Sequence, residues 1–160
     1  MRLTTKGRYA VMALVDIAKH GGGNPVTLAE VAERQAISLS YLEQLFAKLR
    51  SGGLVRSVRG PGGGYLLAHG VEDTRISDII LAVDEPIRAT RCTPGAPVGC
   101  SGSKTRCLTH DLWEELGNQI HLYLSSVTLA DVCERRCLGR SGVLHREAQG
   151  RDNHSAIAAQ

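Results

Sequence analysis

Cys92, Cys100, Cys107 and His110 form C-x(7)-C-x(6)-C-x(2)-H, three thiols and one imidazole within nineteen residues. Thiolate sulfur and imidazole nitrogen are soft or borderline donors, and three Cys with one His is an established structural zinc set. The wide gaps lack the tight C-x(2)-C knuckle and suit a larger iron-sulfur cluster better, a centre in which His sometimes replaces Cys. Zinc and a cluster both stand as readings of this donor set. Cys133 and Cys137, one helical turn apart, read as unpaired thiols, with a reversible disulfide or accessory metal contact as the alternative. All five cysteines lie beyond residue 91. In a cytosolic chain such a group points to a metal or redox site more readily than to a disulfide framework.

A second set lies in the first sixty residues. Nine Lys and Arg there face four acidic residues, a surplus of +5 in a chain whose total is only +3. Within this stretch Ser38, Ser40, Tyr41, Glu43 and Gln44 crowd the polar face of one helical pattern. Gln44 has the geometry to pair with adenine and Glu43 to accept from the cytosine amino group, while Ser38, Ser40 and Tyr41 can donate to phosphates or bases. Arg59 opens a glycine-rich tip and suits a narrow minor groove. Arg2, Lys6 and Arg8 add phosphate contacts that weaken with salt. Glu43 is repelled by phosphate unless it meets a cytosine amino group, which reads as a selectivity element.

These sets imply the elements that must hold them. Residues 9–20 repeat apolar positions at helical spacing, and Gly21-Gly22-Gly23 ends the pattern. Thr27-Leu28-Ala29-Glu30 is a capping-box start for a second helix through about Gln35. Ser38 caps a third, in which Leu42, Leu45, Phe46 and Leu49 make the apolar face. Two short strands, 54–58 and 65–67, flank Arg59-Gly60-Pro61-Gly62-Gly63-Gly64. Ile76, Ile79, Ile80 and Val83 mark a fourth helix. The order is that of a winged helix-turn-helix domain, residues 1–83.

A Pro- and Gly-rich loop, 84–107, then carries the loop cysteines. From 108 a long helix places Trp113, Leu116, Ile120, Tyr123 and Val127 at steps of three and four, a coiled-coil seam on a helix that follows an already complete winged domain. It reads as a self-association helix, followed by one short helical turn capped by Thr128, with 108–132 as the dimerisation unit. Residues 133–160 read as a disordered tail. The expected fold class is mainly α: a winged helix-turn-helix domain, a cluster-binding loop and a long dimerisation helix.

MRLTTKGRYAVMALVDIA, ISLSYLEQLFAKLRSGGLVRSVRGPGGGYLL, and DEPIRATRC with CLTHDLW resemble the iron-sulfur cluster regulator (IscR) family of bacterial winged-helix transcription factors, over roughly residues 1–132. The resemblance implies a homodimer on pseudo-palindromic double-stranded promoter DNA, one 2Fe-2S cluster per subunit, control of cluster-assembly genes, and cluster-assembly proteins as donors. It puts the cluster ligands at Cys92, Cys100, Cys107 and His110. It puts the DNA contacts at Ser38, Ser40, Tyr41, Glu43, Gln44 and Arg59. The ligand gaps of seven and six exceed the family's usual five and five, an insertion that costs little closure entropy in a loop. Related regulators with a 4Fe-4S cluster lack the His and carry an acidic residue near the N-terminus; Arg8 and His110 favour 2Fe-2S.

Other classes fit poorly. Gly60 to Gly64 lacks the Lys-Ser/Thr of a phosphate loop, and no C-x-x-C, Ser/His/Asp set or cofactor fingerprint supports an enzyme. There is no run of about 18 apolar residues and no signal-peptide core, so a cytoplasmic chain without membrane contact is expected.

Overall fold

The computed structural model describes residues 4–87 and 108–137. Among the described residues, six helices and one hairpin follow in the order α1 (Thr5–His20), α2 (Leu28–Gln35), α3 (Leu39–Ser51), β1 (Val55–Val58), β2 (Gly64–Leu67), α4 (Ile76–Ala82), α5 (His110–Ser126) and α6 (Leu129–Cys133). This is the winged-helix order read from the sequence, mainly helical with a two-stranded antiparallel sheet. Among the described residues no helix is long and apolar enough to cross a membrane.

Helix α2 begins where the capping box places it. Thr27 Oγ1 accepts from the Glu30 amide, and Glu30 Oε2 accepts from the Thr27 amide at 2.8 Å. Ala36 then takes a left-handed conformation, φ 52°, and buried Ile37 drops into the core, so α3 leaves α2 at a sharp turn. A non-glycine residue held at positive φ costs energy that the surrounding packing must outweigh. Ser38 does precede α3, but its side chain makes no capping bond.

The hairpin pairs Val55 with Leu67 and Val58 with Gly64. Val26 adds a third short rung, its amide donating to the Tyr65 carbonyl at 3.0 Å and its carbonyl accepting from the Tyr65 amide at 2.8 Å. A Cβ at Gly64 would sit 2.4 Å from the Val26 carbonyl oxygen, so only glycine lets this rung close. Phe46 meets Tyr65 edge-on at 4.8 Å, fixing the wing against α3.

One core joins both described stretches of the chain. Ala10, Leu14 and Ile17 of α1, Leu42, Phe46 and Leu49 of α3, and Ile76, Ile79 and Ile80 of α4 are buried together with Val127 and Leu129. The core therefore does not close at residue 83. The Ile76 amide donates to the Val127 carbonyl at 3.0 Å and the Leu129 amide to the Thr74 carbonyl at 2.8 Å, stitching the end of α5 to the start of α4. Val127 thus differs from the rest of the expected seam: it is buried in its own chain's core. Helix α6 runs through Cys133, and Cys137 packs on the core.

Candidate nucleic-acid interface and ligand set

Helix α3 divides by burial as its period requires. Leu42, Leu45, Phe46 and Leu49 are buried, whereas Ser38, Ser40, Glu43 and Gln44 are exposed. Tyr41 is half-buried, held edge-on against Tyr9 with ring centroids 6.0 Å apart. Arg59 is exposed at the tip of the hairpin, where Gly60 and Gly62 take φ of 103° and 73°. Lys6 is exposed on the first turn of α1, next to Thr4 and Thr5. Thr4, Thr5, Lys6 and Tyr41 line one recess of about 350 Å³ with Asp84, Glu85 and Pro86. Donors suited to phosphate and groups suited to base edges therefore occupy the start of α1, the polar face of α3 and the wing. Arg2 lies outside the described residues.

Two contacts at this surface were not foreseen from the sequence. Lys48, further along α3, bonds Asp84 Oδ2 at 2.6 Å, and that bond holds the Asp84 carboxyl below the usual aspartate range. Glu85 is 5% exposed, and its carboxylate accepts from the backbone amides of Thr4 and, at 2.6 Å, Gly7. Both partners are more than thirty residues away in sequence, so no local pattern announces them.

Of the metal-ligand set, Cys92, Cys100 and Cys107 lie outside the described residues. His110 is the first residue of α5 and is 7% exposed, with Nε2 3.3 Å from Glu114 Oε2. Asp111 brings a further carboxylate to the same turn, where one ligand atom from each of the three residues lies within 4.8 Å of the others. A carboxylate close to a buried imidazole is a common surrounding of a metal-binding His, and Glu114 stands at that distance here. The donor chemistry and the position of His110, three residues after Cys107, fit an iron-sulfur or zinc ligand.

Helix α5 shows an apolar stripe that the other described residues leave exposed. Trp113, Leu116 and Tyr123 are 44%, 42% and 49% exposed, and Ile120 is half-buried between them. Leu112 and Leu122 widen the exposed surface. The Tyr123 hydroxyl donates to the Cys137 carbonyl at 2.8 Å. Cys133 and Cys137 are free and half-buried, and burial pushes both thiols above their ordinary pKa, which disfavours reactive thiolate.

A family model described as Rrf2, an iron-dependent transcriptional regulator, matches residues 3–135. The HTH-type transcriptional regulator IscR of Yersinia pseudotuberculosis is 54% identical over 132 residues, covering 82% of this chain and 79% of that protein. IscR of Serratia proteamaculans is similar to the same extent. Among solved structures, T. potens IscR superposes with a TM-score of 0.67 at 39% identity, over 85% of this chain and 88% of that one. CymR, the global cysteine regulator of B. subtilis, superposes at 0.69 with 31% identity, over 84% and 98%. These relatives are transcriptional regulators rather than enzymes. The winged-helix order, the exposed polar face of α3 and these likenesses agree: the chain belongs to the Rrf2 family of transcriptional regulators.

Proposed function

We propose that the protein binds double-stranded promoter DNA as a homodimer, and that a 2Fe-2S cluster held by Cys92, Cys100, Cys107 and His110 sets which sites it occupies. Through that dependence it controls genes for cluster assembly, whose products are the donors that load it. The observation that carries the DNA reading is the exposure of Ser38, Ser40, Glu43 and Gln44 on one face of α3, while the opposite face is buried. The major groove admits one helix, and this face offers base-edge donors and acceptors. Lys6 and Arg59 flank it and supply the charge that positions a protein on phosphate. The exposed stripe of Trp113, Leu116, Ile120 and Tyr123 supports self-association, which would present two reading heads to a two-fold site.

The cluster reading is supported by the donor set, by buried His110 at the start of α5 and by the likeness to IscR. A bound cluster is lost on oxidation or iron shortage, and so reports cellular demand for assembly. His110 would orient through Glu114, and the end of α4 and the start of α5 would bracket the ligand segment. Zinc accepts the same ligands, so the test measures metal and sulfide together. Anaerobically purified protein is expected to contain iron and acid-labile sulfide in equal amounts with visible charge-transfer absorption, both lost in Cys107→Ala. Stoichiometric zinc without sulfide would instead support a zinc-stabilised repressor.

A further inference from the structure

Among the described residues, three helices begin at a threonine N-cap whose side chain accepts from the first turn, and two of these are finished locally. Helices α2 and α6 carry Thr27 with Glu30 and Thr128 with Asp131, each acid reaching back to the N-cap amide. Helix α1 has Thr4 followed, three residues on, by Gly7, which has no side chain to reach back. Its acid comes from residue 85. The Glu85 carboxylate accepts from the amide of Thr4, the N-cap, and from that of Gly7, the third helical residue. These are amides left without partners at a helix start. The fit is tight, since a Cβ on Gly7 would fall 2.7 Å from Glu85 Oε2.

The position of Glu85 is itself built. Asp84 takes φ 55° immediately after α4, turning the chain toward α1, and its own carboxylate reaches Lys48 on α3. Asp84 and Glu85 thus tie the exit of α4 to both helices of the reading surface. Cys92 follows seven residues later.

We propose that Glu85 is a positioning residue through which the ligand-bearing segment acts on DNA binding, by completing the cap of α1 from outside the helix. The first turn of α1 carries Lys6 and borders Tyr41, so a cap supplied from residue 85 makes the placement of phosphate contacts depend on the chain that leads to Cys92. This rests on the reading that Cys92 is a cluster ligand. A cap that was only structural would be served equally well by an acid at position 7, as in the other two helices.

The test uses the full-length dimer, reconstituted anaerobically with ferrous iron and sulfide, and a duplex selected by the wild-type protein from a randomised library. The ratio of affinities of loaded and cluster-free protein is measured for the wild type, Glu85→Gln, and the double variant Glu85→Ala with Gly7→Glu, which moves the acid into α1. The wild-type ratio is expected to be about tenfold, within the usual range of coupling between sites. In the double variant the cluster-free protein should retain DNA binding while the ratio falls to about twofold or less; Glu85→Gln should lie between. Deuterium uptake by residues 1–9 of the wild type should also differ between loaded and cluster-free forms. A wild-type ratio kept by the double variant at equal iron content, or equal uptake in the two forms, overturns the inference alone. A wild-type ratio of one with a full cluster overturns the functional reading and the inference with it.

Discussion

Asp16 carries more of the stability of the reading head than its place on α1 suggests. Its side chain is fully buried, and it accepts from Arg34 Nε and Nη2 and from Gln35 Nε2 at 2.6–3.1 Å, pinning α2 to α1. Burial alone would raise this carboxyl, but the bonds from Arg34 and Gln35 and the Arg34 charge outweigh it and hold it below the ordinary aspartate range. A lowered folded pKa means that stabilisation is complete above the unfolded value of about 3.9 and is lost as pH falls through the folded one. Asp16→Ala is expected to cost about 1–3 kcal/mol at pH 7, because it strands donors that now share a buried acceptor. Urea titrations should show the gap between variant and wild type narrowing as pH drops below about 4. Glu43 belongs to the same scale. It is exposed on α3, and among the described residues no cation is bonded to it, so its carboxylate is available to a base edge. Glu43→Ala should broaden the range of duplexes bound, most where a cytosine faces α3; a selection from randomised DNA that returns the wild-type preference at every position would contradict this role.

At the scale of elements, α5 is anchored at its C-terminal end and exposed along its length. Val127 and Leu129 are buried against α4 and α1, while Trp113, Leu116 and Tyr123 remain 42–49% exposed. An apolar stripe of this extent on one helix marks an interaction surface. Leu116→Glu is expected to shift the protein to monomers in analytical ultracentrifugation and weaken binding to a two-fold site. Its effect on the folding of the monomer should stay within about 0.5 kcal/mol, since the side chain contributes little to the chain's own core. The seam read from the sequence therefore divides: four of its residues lie on the open part of α5, and the fifth, Val127, belongs to the core that fastens the helix.

For the molecule as a whole, the continuous core has a mechanical consequence. Because α6 and the end of α5 pack on α1 and α4, the reading head and the proposed dimer helix move as one packed unit. Removing the cluster with a chelator should leave the melting of this unit nearly unchanged by far-ultraviolet circular dichroism while altering DNA affinity; collapse of the helical signal would mean the metal is structural. Much of this fold was legible in the sequence because it follows from local rules. Periodicity located most of α1, α3, α4 and α5, the Thr27–Glu30 capping box located α2, and the glycine-rich run after Arg59 located the wing. The polar face of α3 was legible for the same reason, since a helix that buries Leu42, Leu45 and Phe46 must expose Glu43 and Gln44. The start of α1 at Thr5, four residues before the expected one, was not legible, because Thr4-x-x-Gly7 lacks the acid that Glu85 supplies. Neither was the burial of Val127, which depends on Ile76 and Thr74 being brought beside it. What the sequence determined by itself was the order of the elements and the faces they bury, both set by residue type and spacing within a few turns. Only the tertiary structure decided how the chain closes on itself, because hydrogen bonds such as Glu85 to Gly7 and Lys48 to Asp84 join residues whose separation along the chain leaves no periodic trace.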